Sequence, residues 1–91
     1  MIDGQQQREA LAAAERSLFL LQKGRLVEAR KAAERARELD QVSVFGSLPE
    51  AVESIVGCRS KGTPVPSEAW DQLAAAVGPG PLAAHVADLR G

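Results

Sequence analysis

A single glycine between two alanine-rich segments constrains the fold of this chain more than any other feature. Residues 5–23 and 26–39 each repeat apolar side chains at the three- and four-residue spacing of an α-helix, and Gly24 lies between them. Glycine commonly follows the last residue of a helix because it adopts a left-handed backbone without strain. The connection around Gly24 is very short, so the second helix must return antiparallel to the first. The sequence therefore predicts a helical hairpin over residues 11–40.

The first helix carries two apolar stripes that lie side by side. They comprise Ala10, Ala13, Ser17 and Leu20 in one, and Leu11, Ala14, Leu18 and Leu21 in the other. The second helix faces the first with alanines, which let two backbones approach closely. Its outer face mixes acidic and basic residues, and we interpret that face as solvated, with Glu28 and Lys31 as one of its pairs. One stripe of the first helix is therefore left without an obvious cover.

The segments that follow also have helical signatures. A linker at residues 40–47 is expected to place Val42, Val44 and Phe45 over the helix ends. Ser47 and Glu50 have the spacing of a capping box and predict the start of a third helix. Asp3 is the expected N-cap of the first helix. Together, the predicted helices span residues 5–23, 26–39, 48–60, 66–77 and 81–90.

These elements place the chain in the all-α class. No segment alternates apolar and polar residues for long enough to form a half-buried strand. Ninety-one residues suffice for one domain. We therefore expect a single helical domain with antiparallel hairpins at residues 11–40 and 48–77 and a C-terminal helix at residues 81–90.

Charge and hydropathy argue against several classes of partner. The formal net charge is −1, which gives no general attraction to nucleic acid or to an anionic membrane. The longest apolar run, residues 18–21, is far shorter than the ~20 residues that span a bilayer. The first ten residues lack the basic and apolar segments of a secretory signal. A cytoplasmic protein with no nucleic-acid or membrane partner is the expectation.

No group of residues in the sequence suggests an enzyme. Cys58 has no histidine or acid nearby in sequence, and His85 is the only histidine, so we expect no catalytic residue, no metal and no cofactor. The glycine-rich residues 78–81 include two prolines, which lack the N–H donors of a phosphate-binding loop. Trp70 lies at helical spacing from other apolar residues, and we interpret it as a core residue.

Five positions in the hairpin give it a family resemblance. They are Leu20, Gly24, Ala29, Ala36 and Leu39. A large apolar residue near the end of the first helix, a glycine at the bend, two small residues in the second helix and a leucine at its end resemble a tetratricopeptide repeat. That repeat is a helix-turn-helix unit of about 34 residues found in interaction scaffolds.

The resemblance has departures from the family pattern. Ala13 stands where the family often has tryptophan, and Ala33 replaces an aromatic residue. Ser17 replaces glycine or alanine, and Gln41 stands where a proline would end the repeat. Residues 48–77 would form a second, divergent hairpin.

A tetratricopeptide-like hairpin implies a groove for a partner. In such a hairpin Ala13, Ser17 and Leu20 would pack against the second helix, and the other stripe would face the concave side. The implied groove residues are Leu11, Ala14, Leu18, Leu21 and Gln22. This set has no Lys, Arg or Asn to hold a peptide carboxylate, so the expected ligand is an apolar or amphipathic helical segment of another protein.

The sequence favours a non-enzymatic protein–protein interaction module, such as an adaptor or a small chaperone-like protein. In a first alternative, the groove is filled by the helix at residues 81–90 or by a second copy, as in a structural or regulatory accessory subunit or a homodimer. In a second alternative, the chain is a helical domain that binds a small ligand in a pocket formed with Trp70 and Arg59.

Overall fold

A computed structural model describes residues 4–90 of the chain, all of its regular structure being helical. The helices are α1 (Gly4–Gln22), α2 (Leu26–Leu39), α3 (Leu48–Lys61), α4 (Ser67–Val77) and α5 (Pro81–Arg90). The predicted all-α class is confirmed, and each helix boundary agrees with its predicted position to within one residue. The N-cap predicted at Asp3 lies outside the described residues.

The turn between α1 and α2 has the geometry that its glycine predicts. Gly24 has a φ of 77°, in the left-handed region. Its N–H donates to the carbonyl of Leu21 at 3.1 Å, and the next N–H, of Arg25, donates to the carbonyl of Leu20 at 3.0 Å. This pair of hydrogen bonds is a Schellman motif, which satisfies carbonyls that the helix end leaves free. Gly62, with a φ of 72°, ends α3 in the same way.

Small residues bring α1 and α2 close together. The buried residues of α2 are Ala29, Ala33 and Ala36, each with no exposed surface. Ser17 of α1 is also fully buried, and its hydroxyl donates to the carbonyl of Ala29 at 2.7 Å. A buried hydroxyl needs such a partner because an unpaired one costs free energy. The serine is therefore part of the helix–helix contact rather than an incidental replacement for glycine or alanine.

The five helices form a closed arrangement in which the last helix, α5, contacts the first, α1. Helix α2 packs against α3, α3 against α4, and α4 against α5, which returns to contact α1. The largest fully buried side chains share one apolar core: Leu18, Leu21, Leu48, Val52, Ile55, Leu73 and Leu82. Both ends of the described chain thus contribute to the same core.

Asp40 organises the connection between α2 and α3. Its carboxylate accepts hydrogen bonds from the backbone N–H of Phe45 at 2.7 Å and of Val42 at 3.1 Å. It also accepts a hydrogen bond from the side-chain amide of Gln7 at 2.9 Å, and the oxygen of that amide accepts the N–H of Gln41 at 2.8 Å. The first turns of α1 are therefore tied to the end of α2.

The same contacts set the acidity of Asp40. Burial acts to raise the pKa of its carboxyl, but hydrogen bonds from Gln7 and from the backbone of Phe45, Val42 and Val44 outweigh that effect. The pKa therefore lies below its ordinary value of 3.8.

Of the three apolar residues predicted to cover the helix ends, only Phe45 is buried, whereas Val42 and Val44 are 45% and 48% exposed.

The capping box predicted at the start of α3 is wrong. Ser47 has φ −99° and ψ 0°, and its side chain makes no capping hydrogen bond. A side-chain cap needs an extended backbone at this position, which Ser47 does not have, so Glu50 has no box to complete. Backbone carbonyls accept the hydrogen bonds at the start of α3: the Leu48 N–H donates to the carbonyl of Phe45 at 3.2 Å, and the Ala51 N–H donates to that of Ser47 at 3.1 Å.

Candidate functional site

The groove predicted on α1 is closed by the chain itself. Ala14, Leu18 and Leu21 are at most 1% exposed, and helices α3 and α5 pack against α1. Only Leu11, at 42% exposure, and Gln22 remain at the surface. The prediction of an open apolar stripe is corrected accordingly, because the stripe belongs to the core in this conformation. The alternative in which the helix at residues 81–90 fills the groove agrees with these contacts, to which α3 also contributes.

A different groove lies on the hairpin, between α1 and α2. It has a volume of about 390 Å³. Its lining residues are Ala13, Arg16, Leu20, Glu28, Lys31, Ala32 and Arg35. We call this surface the basic groove. Its floor is formed by the apolar side chains of Ala13, Leu20 and Ala32, and its rim by the four charged residues.

Helical spacing explains why these residues come together. On α1, Ala13, Arg16 and Leu20 are separated by three and four residues, so they lie on one face. On α2, Ala32 and its charged neighbours follow the same spacing on the flank beside the buried alanines. The two alanines are too small to fill the space between the helices. Ala13 is the position at which the tetratricopeptide resemblance expects tryptophan, and its small side chain leaves this groove open.

The charges around the groove are predominantly positive. Three cations, Arg16, Lys31 and Arg35, share the rim with one carboxylate, Glu28. That carboxylate pairs at 3.0 Å with Arg25, at the start of the same helix, instead of with Lys31 as predicted. Neither Arg16 nor Lys31 makes an ion pair within residues 4–90. The rim is thus locally basic on a chain whose formal net charge is −1.

A second, smaller hollow of about 290 Å³ lies on the other side of Arg16. It is lined by Ala12, Glu15, Arg16, Phe19 and His85. Phe19 is 51% exposed, and the ammonium of Lys23 lies 5.2 Å from the centre of its ring. His85 is half-buried at the edge of α5, consistent with a boundary residue. Arg16 therefore stands between two hollows, and an exposed aromatic ring lies beside it.

Trp70 and Arg59, which the sequence suggested for a small-ligand pocket, contact each other. Trp70 is 8% exposed and lies in the core, as interpreted from its spacing. The guanidinium of Arg59 lies 5.8 Å from the centre of its ring and donates to the carbonyl of Leu21 at 2.6 Å. Neither residue lines either of the two hollows, and Cys58 is half-buried outside both. These contacts link α1, α3 and α4 and give Arg59 a structural role.

Other kinds of site are limited by what the described residues bring together. Within residues 4–90, no three His, Cys, Asp or Glu side chains come together as a metal site requires. Over the same range, no helix is both long and apolar enough to cross a membrane. Comparisons with protein families, curated proteins and solved structures find no match to this chain. The tetratricopeptide resemblance of residues 11–40 stays a prediction, and function is inferred from the geometry of the basic groove.

Proposed function

We propose that this chain is a non-enzymatic protein-interaction module that binds a helical segment of another protein in the basic groove. The observation that supports the proposal is an apolar floor, Ala13, Leu20 and Ala32, bordered by exposed charged side chains. An apolar centre with a polar rim is the usual anatomy of a protein docking surface. The partner segment expected from the sequence is retained, but its site moves from the buried stripe to the opposite side of α1.

The shape of the groove suits a helix. Packed helices have axes 8–10 Å apart, at roughly the lower end of that range where the facing side chains are small. Alanines on both α1 and α2 let a third helix lie in the depression between them. The floor extends along α1 from Ala13 to Leu20, which at ~1.5 Å per residue is about 10 Å, or two helical turns. A partner helix of three or four turns would cover the floor and reach the rim.

A steric block of the floor tests the proposal. In Ala32→Trp the indole fills the groove, whereas Ala75→Trp places the same side chain on an exposed position of α4, outside the groove. The partner is first isolated from the native host with the wild-type chain, purified, and titrated by calorimetry against all three proteins. We expect Ala32→Trp to weaken binding at least about tenfold, or about 1.4 kcal/mol, and Ala75→Trp to bind as the wild type does.

Circular dichroism establishes that each variant keeps its helix content. Where Ala32→Trp reduces it, Ala32→Gln is the smaller substitution that still occupies the floor. Equal affinity of the wild type and a folded Ala32 variant would place the partner elsewhere and refute the proposal. The absence of any host protein that binds the wild-type chain directly would refute it as well.

A further inference from the structure

We infer that the segment bound in the basic groove is an acidic amphipathic helix, with an apolar ridge on the floor and carboxylates towards Arg16, Lys31 and Arg35. This inference rests on the proposed function and adds the chemistry of the partner. It is carried by charge complementarity: three of the four charged residues of the rim are cations. Complementary charge favours the encounter with one class of partner and disfavours the opposite class.

The cations stand on both sides of the floor. Arg16 belongs to α1, whereas Lys31 and Arg35 lie four residues apart on α2. A separation of four residues is about 6 Å along a helix axis. Acidic residues four apart on a partner helix have the same separation, so they can meet Lys31 and Arg35 together. A further carboxylate on the other flank of that helix would meet Arg16.

The ion pairs already present leave these cations accessible. The carboxylate of Glu28 is held by Arg25 at 3.0 Å, and Arg16 and Lys31 have no ion-pair partner among residues 4–90. Arg35 pairs with Glu38 at 3.5 Å, but the two side chains are 63% and 65% exposed. Such exposed pairs contribute little, so the guanidinium can exchange one carboxylate for another at little cost.

The same charges disfavour a second copy of this chain as the occupant. An isologous contact through the basic groove places the same patch against itself. Arg16, Lys31 and Arg35 of one copy would then face the same cations of the other, which is destabilising. A helix with lysines on its flanks is disfavoured for the same reason.

Two synthetic peptides of about 18 residues, long enough for five helical turns, serve as probes. They share an apolar face of Leu and Ala and differ only in flanking residues, Glu in one and Lys in the other. Each is titrated into the wild-type chain, with binding followed by backbone amide shifts in NMR spectra. We expect the Glu peptide to bind at least about tenfold more tightly than the Lys peptide at low salt. We expect the difference to shrink at about 0.5 M salt, where charges are screened.

Charge reversal localises the effect to the groove. The test variant combines Arg16→Glu, Lys31→Glu and Arg35→Glu, and the control combines Arg8→Glu, Arg37→Glu and Lys61→Glu. All six positions are exposed, and both variants change the net charge by the same amount. We expect the test variant to prefer the Lys peptide and the control to keep the wild-type preference.

Four outcomes overturn the inference: failure of both peptides to bind, equal binding of the two, an equal loss of preference in the control variant, or a wild-type dimer that the Glu peptide does not displace. The proposed function is judged separately by Ala32→Trp with the native partner, because that test is steric and does not depend on charge. If Ala32→Trp blocks the native partner but charge reversal does not affect its binding, the proposed function stands and the inference of an acidic partner helix is refuted.

Discussion

The pair Leu11 and Leu18 gives a direct test of whether the packing of α3 and α5 closes the apolar stripe on α1. The two leucines are seven residues apart on the same stripe, but Leu18 is 1% exposed and Leu11 is 42% exposed. If the stripe were open, both would lie at the surface and their truncation to alanine would have similar effects. In the closed structure, Leu18→Ala leaves a cavity in the core, whereas Leu11→Ala removes a side chain that solvent already reaches.

The expected costs differ by at least about twofold. Leu18→Ala removes three carbon groups at about 0.8 kcal/mol each and adds a cavity cost, which gives about 3 kcal/mol. Leu11→Ala should cost about 1.4 kcal/mol or less, because nearly half of that side chain is not buried and no cavity is left. A chain of 91 residues has a total stability of roughly 5–14 kcal/mol. The Leu18 variant should therefore remain folded at 25 °C, with at least about 2 kcal/mol of stability, and its Tm should fall by about 12–24 °C.

Urea denaturation followed by circular dichroism and by Trp70 fluorescence measures both effects. Trp70 is a useful second probe because it lies in the core, on α4. Coincident transitions with slopes equal to those of the wild type would show that the two variants unfold in a single step, as small domains usually do. A Leu18→Ala cost no larger than that of Leu11→Ala would mean that the stripe is not covered by α3 and α5 in solution, and would restore the open groove that the sequence predicts.

Three further contacts give predictions of their own. Ser17→Ala should lower the free energy of unfolding by at most about 1 kcal/mol, because the Ala29 carbonyl keeps its helical hydrogen bond. Ser17→Val should lower it by about 1–3 kcal/mol, because the larger side chain overpacks the contact between α1 and α2. Equal losses in chemical denaturation would contradict the close helix contact. Asp40→Asn should destabilise the chain fully at pH values above the unfolded-state pKa of the carboxyl, and this loss should disappear as the pH falls through the lower folded-state pKa. A difference in unfolding free energy between wild type and variant that stays constant from pH 2 to 7 would refute the assigned acidity. Arg59→Met removes the guanidinium that donates to the Leu21 carbonyl and lies over the Trp70 ring, and should cost about 1 kcal/mol with a Trp70 emission shift; an unchanged Tm would show that these contacts contribute nothing.

Local chemistry allowed much of the fold to be predicted. Gly24 and Gly62 each adopt the left-handed backbone expected of a residue that ends a helix, and the hairpin follows from the short connection at Gly24. The failures have equally local causes. Ser47 has the right neighbours for a cap but the wrong backbone conformation. Asp40 lies just beyond a helix and accepts an N–H two residues on, an Asx-turn that its residue type and position could have suggested.

The candidate site was predicted less well because it depends on tertiary packing. The spacing of Leu18 and Leu21 correctly marks an apolar stripe, but spacing cannot distinguish a stripe that binds a partner from one that α5 covers. The basic groove involves residues that look unremarkable one by one. In the sequence, Ala13 is a small member of an apolar stripe and a departure from a family pattern, and Lys31 and Arg35 belong to a solvated helix face. Their proximity to Arg16 across the groove becomes visible only when α1 and α2 are placed side by side.

The closure of α1, which α5 completes after α3, has a consequence for how the chain is made. Translation proceeds from the N-terminus, so Leu18 and Leu21 leave the ribosome well before Leu82, which follows Leu21 by 61 residues. At 5–20 residues per second, that separation corresponds to roughly 3–12 s. During this interval the hairpin of α1 and α2 can form, but one side of α1 still lacks its cover. A nascent chain of this protein is therefore expected to present, for seconds, part of the apolar surface that the finished fold conceals, and at this stage it is most exposed to chaperones and to aggregation.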